Sequence, residues 1–209
     1  MSLVIKGSSS GQVTIDVPAA AGTNTITLPA STFTVPTEGA NLVRLAGETL
    51  SADASSIEIS ASTLTTSYKH YELYADLQPK TDGQILFLRL RDNSGTLLNV
   101  VSDYQEQAYR GGGTDFSDTT VSALTGITGV GSASDEHLVC KFHIGALRDS
   151  AKHTQINFHM SGCNTSDSIF TTLGSFKTST AEDNQGIQLT FSSGDIASGS
   201  SYVLYGVNN

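Results

Sequence analysis

His137-Leu138-Val139-Cys140-Lys141-Phe142-His143-Ile144 and, after an eight-residue connection, His153-Thr154-Gln155-Ile156-Asn157-Phe158-His159-Met160 decide the fold of this chain. Nearly every second side chain is apolar and the intervening ones are mostly polar, which is the period of a half-buried β-strand. The same alternation runs outward in both directions. Tyr71-Glu72-Leu73-Tyr74-Ala75-Asp76-Leu77 sets Tyr71, Leu73, Ala75 and Leu77 on one face, and Ser56-Ile57-Glu58-Ile59-Ser60 does the same for two isoleucines. Gln84–Arg91 is apolar on both faces near its start, as expected of a central strand or one covered by a partner. Asp92-Asn93-Ser94-Gly95 predicts a hairpin turn into Thr96–Val101. Ile169–Leu173 is a weaker strand, and Gly186–Phe191 with Tyr202–Val207 predicts a closing pair around Ser192–Ser201. About eight strands from residue 57 onward predict an all-β fold, an antiparallel β-sandwich that is jelly-roll-like.

The first forty residues follow a different rule. One phrase, Thr-apolar-x-apolar-Pro, occurs three times: Thr14-Ile15-Asp16-Val17-Pro18, Thr25-Ile26-Thr27-Leu28-Pro29 and Thr32-Phe33-Thr34-Val35-Pro36. Each phrase alternates like a strand, and its proline then removes a ladder donor and ends it. Two small apolar side chains return too little to offset an ordering entropy of roughly 1–2 kcal/mol per residue. Such strands need neighbours, and sister chains supply identical ones. The expected organisation is an extended assembly segment over 1–44 and a β-sandwich over 45–209. In that segment Ile15, Val17, Ile26, Leu28, Phe33 and Val35 are the expected contacts between chains.

Composition narrows the function classes. Ser and Thr make up about a quarter of the 209 residues, Gly contributes 20, and only 15% of residues are charged. With recurrent apolar alternation this is a turn-rich β protein rather than a disordered one. A net charge of −9 with a pI near 4.8 argues against nucleic acid as a partner, because phosphate neutralisation needs clustered Lys and Arg. Met1–Lys6 is too short an apolar run for a secretory signal, and no window approaches the roughly twenty apolar residues of a membrane span. The expectation is a protein made in the cytoplasm, with no membrane partner.

Sites are sparse. His137, His143, His153 and His159 fall on the polar faces of their strands, and a hairpin would set His143 opposite His153 and His137 near His159. The two strands hold no carboxylate to complete a ligand set, so these read as a solvent-facing row and no metal is expected. Asp115 and Asp118 are too few for a calcium loop. Arg110-Gly111-Gly112-Gly113 lacks the Lys-Ser/Thr ending and the following helix of a phosphate loop. No Gly-x-Ser-x-Gly elbow occurs. The expectation is a protein that is not an enzyme and uses no cofactor. Tyr104, Tyr109 and Arg110 beside the Gly-rich tract form a candidate ligand loop, with core or interface packing as the competing use of the tyrosines. The tract from Arg110 to Glu136 is either a functional loop or carries a short strand of its own. Cys140 alternates with Leu138, Phe142 and Ile144 and reads as a small hydrophobe, and a bridge to Cys163 is left open.

Val13-Thr14-Ile15-Asp16-Val17-Pro18-Ala19-Ala20-Ala21-Gly22-Thr23-Asn24-Thr25-Ile26-Thr27-Leu28-Pro29-Ala30 resembles the N-terminal segment of tail-fibre and virion-surface proteins of tailed bacteriophages. Phe191-Ser192-Ser193-Gly194-Asp195-Ile196-Ala197-Ser198-Gly199 with Leu204-Tyr205-Gly206 is similar to the C-terminal ending of such proteins. The resemblance covers the two ends of the chain. It implies a homotrimer located in the virion, with a β-rich head on a short shaft or anchor, and it carries over no active-site residue. The function expected on this basis is a phage virion structural protein, either a fibre or a capsid-surface decoration protein. Its partners would be other virion proteins of capsid or tail and a host surface glycan. A carbohydrate-binding, lectin-like module is the alternative.

Overall fold

The computed structural model describes residues 2–6, 12–16, 42–111, 114–124 and 129–207. The chain divides into two compact units, Met1–Thr37 and Glu38–Asn209. In the first, β1 (Ser2–Lys6) pairs antiparallel with β2 (Gln12–Asp16), and Ile15 stands opposite Leu3. The first proline phrase thus enters a strand through Thr14–Asp16. The second and third phrases, and with them Val17, Ile26, Leu28, Phe33 and Val35, lie outside the described residues.

The second unit is an antiparallel β-sandwich, and no helix occurs among the described residues. In chain order its strands are β3 (Leu42–Thr49), β4 (Ile57–Ile59), β5 (His70–Leu77), β6 (Leu86–Arg91), β7 (Tyr104–Arg110) and β8 (Thr114–Val121). After them come β9 (Leu138–Gly145), β10 (Gln155–Cys163), β11 (Ile169–Thr178), β12 (Gly186–Phe191) and β13 (Ser201–Val207). Eight of them form one sheet in the order β3-β13-β5-β9-β10-β11-β7-β8, and three form a second, β4-β12-β6. Both alternating octets of the sequence are central strands of the large sheet, with Phe142 opposite Phe158 and Ile144 opposite Ile156. The inner face of that sheet is apolar: Tyr71, Leu73 and Leu77 from β5, Leu138, Phe142 and Ile144 from β9, Ile156 and Met160 from β10, and Leu204 from β13 are all fully buried. Against it the small sheet presents Ile57, Ile59, Leu86, Leu88, Leu90, Ile187 and Leu189.

Several elements differ from the sequence reading. β12 and β13 do not pair; they lie in different sheets, and Ser192–Ser200 carries the chain from one to the other. β6 is the edge of the small sheet, not its centre. Loop segments pair along its free edge, with bridges at Leu88–Leu124 and Arg91–Leu97, and Phe87 on its second face is half-buried with the Arg89 guanidinium 4.6 Å from its ring. The turn after β6 forms as expected, with Asp92 Oδ1 accepting from the amides of Ser94 and Thr96 at 2.8 Å and Gly95 at φ 83°. Thr96–Val101 is nevertheless no strand, and Val100 and Val101 stay exposed. The tract after Arg110 carries β8, which folds back on β7. β3 was not anticipated; it runs across the expected boundary at residue 44 and pairs with β13, skipping Leu45 in a bulge.

Tyr104 fixes the unanticipated β7 to the rest. It is fully buried, its ring stacks on Phe176 at 4.4 Å, and its hydroxyl donates to the Leu98 carbonyl (3.0 Å) while accepting from the Leu90 amide (2.8 Å). One phenol oxygen therefore ties the large sheet to the edge of the small one. Burial pushes this hydroxyl's pKa well above its ordinary value. Tyr104→Phe keeps the ring and strands a buried amide and a carbonyl, which should cost about 1–3 kcal/mol in chemical denaturation. Tyr109→Phe, on the exposed side of the same strand, should change stability by less than about 0.5 kcal/mol.

Candidate functional site

The outer face of the large sheet is uncovered among the described residues, and its polar row is better furnished than the strands alone suggested. β5 supplies carboxylates between the histidines of its neighbour. His143 Nδ1 lies 2.7 Å from Glu72 Oε1, Lys141 Nζ lies 3.4 Å from Glu72 Oε2, and His137 Nδ1 lies 2.8 Å from Asp76. His70 stacks on His143 with ring centroids 5.4 Å apart, and the Lys141 ammonium sits 5.3 Å above the Tyr74 ring. A hydrogen bond with Tyr74, reinforced by the Glu72 charge, holds the Lys141 ammonium in its charged form beyond the usual range. Glu72 is therefore engaged from two sides, by the His143 imidazole and the Lys141 ammonium, in a polar network across two neighbouring strands.

The histidine pairing expected from the sequence is not the one the register makes. His143 stands opposite Asn157, and His159 stands opposite Lys141. His153 precedes β10 altogether. Among the described residues no group of three or more His, Cys, Asp and Glu is placed to hold a metal ion. Cys140 is buried in the core, where desolvation raises its thiol pKa, whereas Cys163 lies at the far end of β10 on the opposite face; both are free.

The candidate ligand loop is corrected as well. Tyr104 and Tyr109 are five residues apart on one strand, so they project from opposite faces. Tyr104 is in the core, Tyr109 is half exposed on the outer face opposite Leu173, and the Arg110 side chain lies outside the described residues. The two tyrosines cannot form one platform. Tyr109 instead joins Leu173, Val139 and Ile169, each 48–79% exposed, as apolar points on a largely polar face.

Loops that no periodicity singles out build a sizeable concavity. The connection from β9 to β10 folds over the segment leading into β5 and encloses a groove of about 730 Å³. Its floor is set by Arg148, whose guanidinium grips Asp183 through Nε–Oδ1 (2.6 Å) and Nη2–Oδ2 (3.2 Å) and also donates to the Leu64 carbonyl. Three loops are pinned at one point by this planar fork.

No protein-family model, no curated protein and no solved structure matches this chain.

The Arg148–Asp183 pair has a pH consequence. The hydrogen bond from Arg148 holds the Asp183 carboxyl below its ordinary 3.8, so the folded state favours the ionised form. Its contribution is complete above that ordinary value and is lost as the pH falls through the lower folded value. Asp183→Asn should cost on the order of 2 kcal/mol in urea denaturation at pH 7, with the difference from the unaltered chain shrinking below about pH 3.8.

Proposed function

We infer that the chain is a structural protein of a bacteriophage particle: a homotrimer of fibre or capsid-decoration type, attached through its N-terminal strands and displaying the sandwich. It acts by assembly and binding rather than by catalysis. The observation that supports this reading best is the division of labour along the chain. The proline-terminated phrases fall within the unit Met1–Thr37, while the sandwich of Glu38–Asn209 holds a complete core of its own. A segment of short strands with little apolar bulk gains most from identical neighbours, and threefold association supplies them. The likeness of both chain ends to virion-surface proteins of tailed phages points the same way.

The partners on this reading are two sister chains and a capsid or tail protein of the particle. Particles purified on a density gradient should contain the chain at a fixed ratio to the major capsid protein, measured by quantitative mass spectrometry. A chain carrying Ile26→Asp and Leu28→Asp should be missing from them. Recovery of the unaltered chain in the soluble lysate fraction alone would contradict the assignment.

A further inference from the structure

We propose that the groove between residues 66–70 and 145–155 binds a carbohydrate bearing a carboxylate. Its volume of about 730 Å³ lies within the roughly 300–1,000 Å³ of small-ligand sites. Its walls are held in place before any ligand arrives. The Tyr68 ring lies against the backbone of Gly206, so closely that a Cβ there would fall 2.5 Å from Cγ of the ring. Tyr68 also meets Tyr71 edge-on at 6.1 Å, and the Tyr71 hydroxyl donates to the Thr65 carbonyl. Across the groove, the Ala146 amide donates to the Lys69 carbonyl (3.1 Å) and the Asn184 amide to the Leu147 carbonyl (2.9 Å). Ala146 itself is held at φ 57°, a conformation an alanine keeps only where its surroundings enforce it. A rigid wall of this kind spares a ligand the ordering entropy of the loop.

The charge around the groove runs against that of the molecule. Three of the eleven Lys and Arg residues line it, Lys69, Arg148 and Lys152, against one of the twenty acids, Asp149, on a chain of net charge −9. Arg148 is neutralised by Asp183, and Lys152 meets Asp149 at 3.0 Å in an exposed pair of little net worth. Lys69 makes no ion pair among the described residues, although its field reaches Asp149. The rim therefore keeps a positive surplus.

The histidines add donors. His70 and His153 both line the groove, and each buries its Nδ1 away from water with no hydrogen-bond partner. A buried N–H without an acceptor costs more than a buried lone pair without a donor. In the neutral ring the proton is therefore on Nε2, and each imidazole becomes a donor at that atom. Two ammonium groups and two imidazole N–H groups suit a carboxylate. The hydroxyls of Thr66 and Ser150 and the Asp149 carboxylate suit sugar hydroxyls. A phosphate is the poorer fit, because the one guanidinium is already engaged on both its edges by Asp183 and the Leu64 carbonyl.

The full chain should be tested on a glycan array holding matched neutral, sialylated and uronate-containing oligosaccharides, the acidic ones both free and methyl-esterified. Titration calorimetry with the strongest acidic binder, and with inorganic phosphate, would follow. The expected result is binding to carboxylated glycans that esterification abolishes and that Lys69→Ala with Lys152→Ala weakens about tenfold or more. The melting temperature should stay unchanged, since both ammonium groups are at the surface. Lys80→Ala, beyond the opposite end of β5 from His70, should leave binding unaltered. No binding to any acidic glycan, equal binding to the neutral or esterified forms, a lysine-insensitive interaction, or phosphate binding as well as the best glycan would each overturn the proposal. Particle attachment is read by a different assay, so either reading can fail without the other.

Discussion

A mismatch in width governs this structure. At about 4.8 Å between strands, the large sheet is roughly 34 Å across and the small one roughly 10 Å. Three strands cannot cover the apolar inner face of eight, and bare apolar area of that size does not persist in water. The remainder is covered by loops. Leu64, Leu124, Val130, Leu147 and Ile196 lie outside every strand, yet each is fully buried in the same core. Loops that donate a side chain to the core lose their freedom. The segments before β5 and after β9 are anchored in this way by Leu64 and Leu147, and the groove between them owes its fixed walls to the same packing.

Polar satisfaction follows from the same arrangement. Loops placed against a core bring backbone groups with them, and each needs a partner. Tyr104 serves the Leu90 amide and the Leu98 carbonyl, Arg148 serves the Leu64 carbonyl, and Asn184 donates to Thr154 inside the molecule at 2.9 Å. The long-range polar side chains of this protein are fasteners for its loops.

The strands legible in the sequence are those with one buried face: 57–59, 71–77, 138–144, 155–160, 186–191 and 202–207. Their alternation reports burial directly, which is why the sandwich could be anticipated. β7 escaped because its inward positions are Tyr104, Glu106 and Ala108, too polar and too small to show a stripe. β3 and β8 are the edges of the large sheet, and β3 has no fully buried side chain to mark its pattern. β6 misled for the opposite reason: Phe87 on its second face is half-buried beneath the Arg89 guanidinium of its own strand, and loops pair along its free edge. The histidine register failed on the geometry of the β9–β10 connection, which sets Gly145 opposite Gln155 rather than allowing a pairing of His143 with His153. The groove was invisible because its residues come from two segments some eighty positions apart, joined by the backbone hydrogen bond from Ala146 to Lys69, which no periodicity encodes.

The account rests on a self-sufficient sandwich and a separate N-terminal unit that associates. Multi-angle light scattering of the full chain beside residues 38–209, which keep β3 whole, tests it most directly. The account predicts the mass of three 21.9 kDa chains for the full protein and of one folded chain for the shorter one. A full chain that is monomeric, or an assembly that survives removal of the first 37 residues, would contradict it.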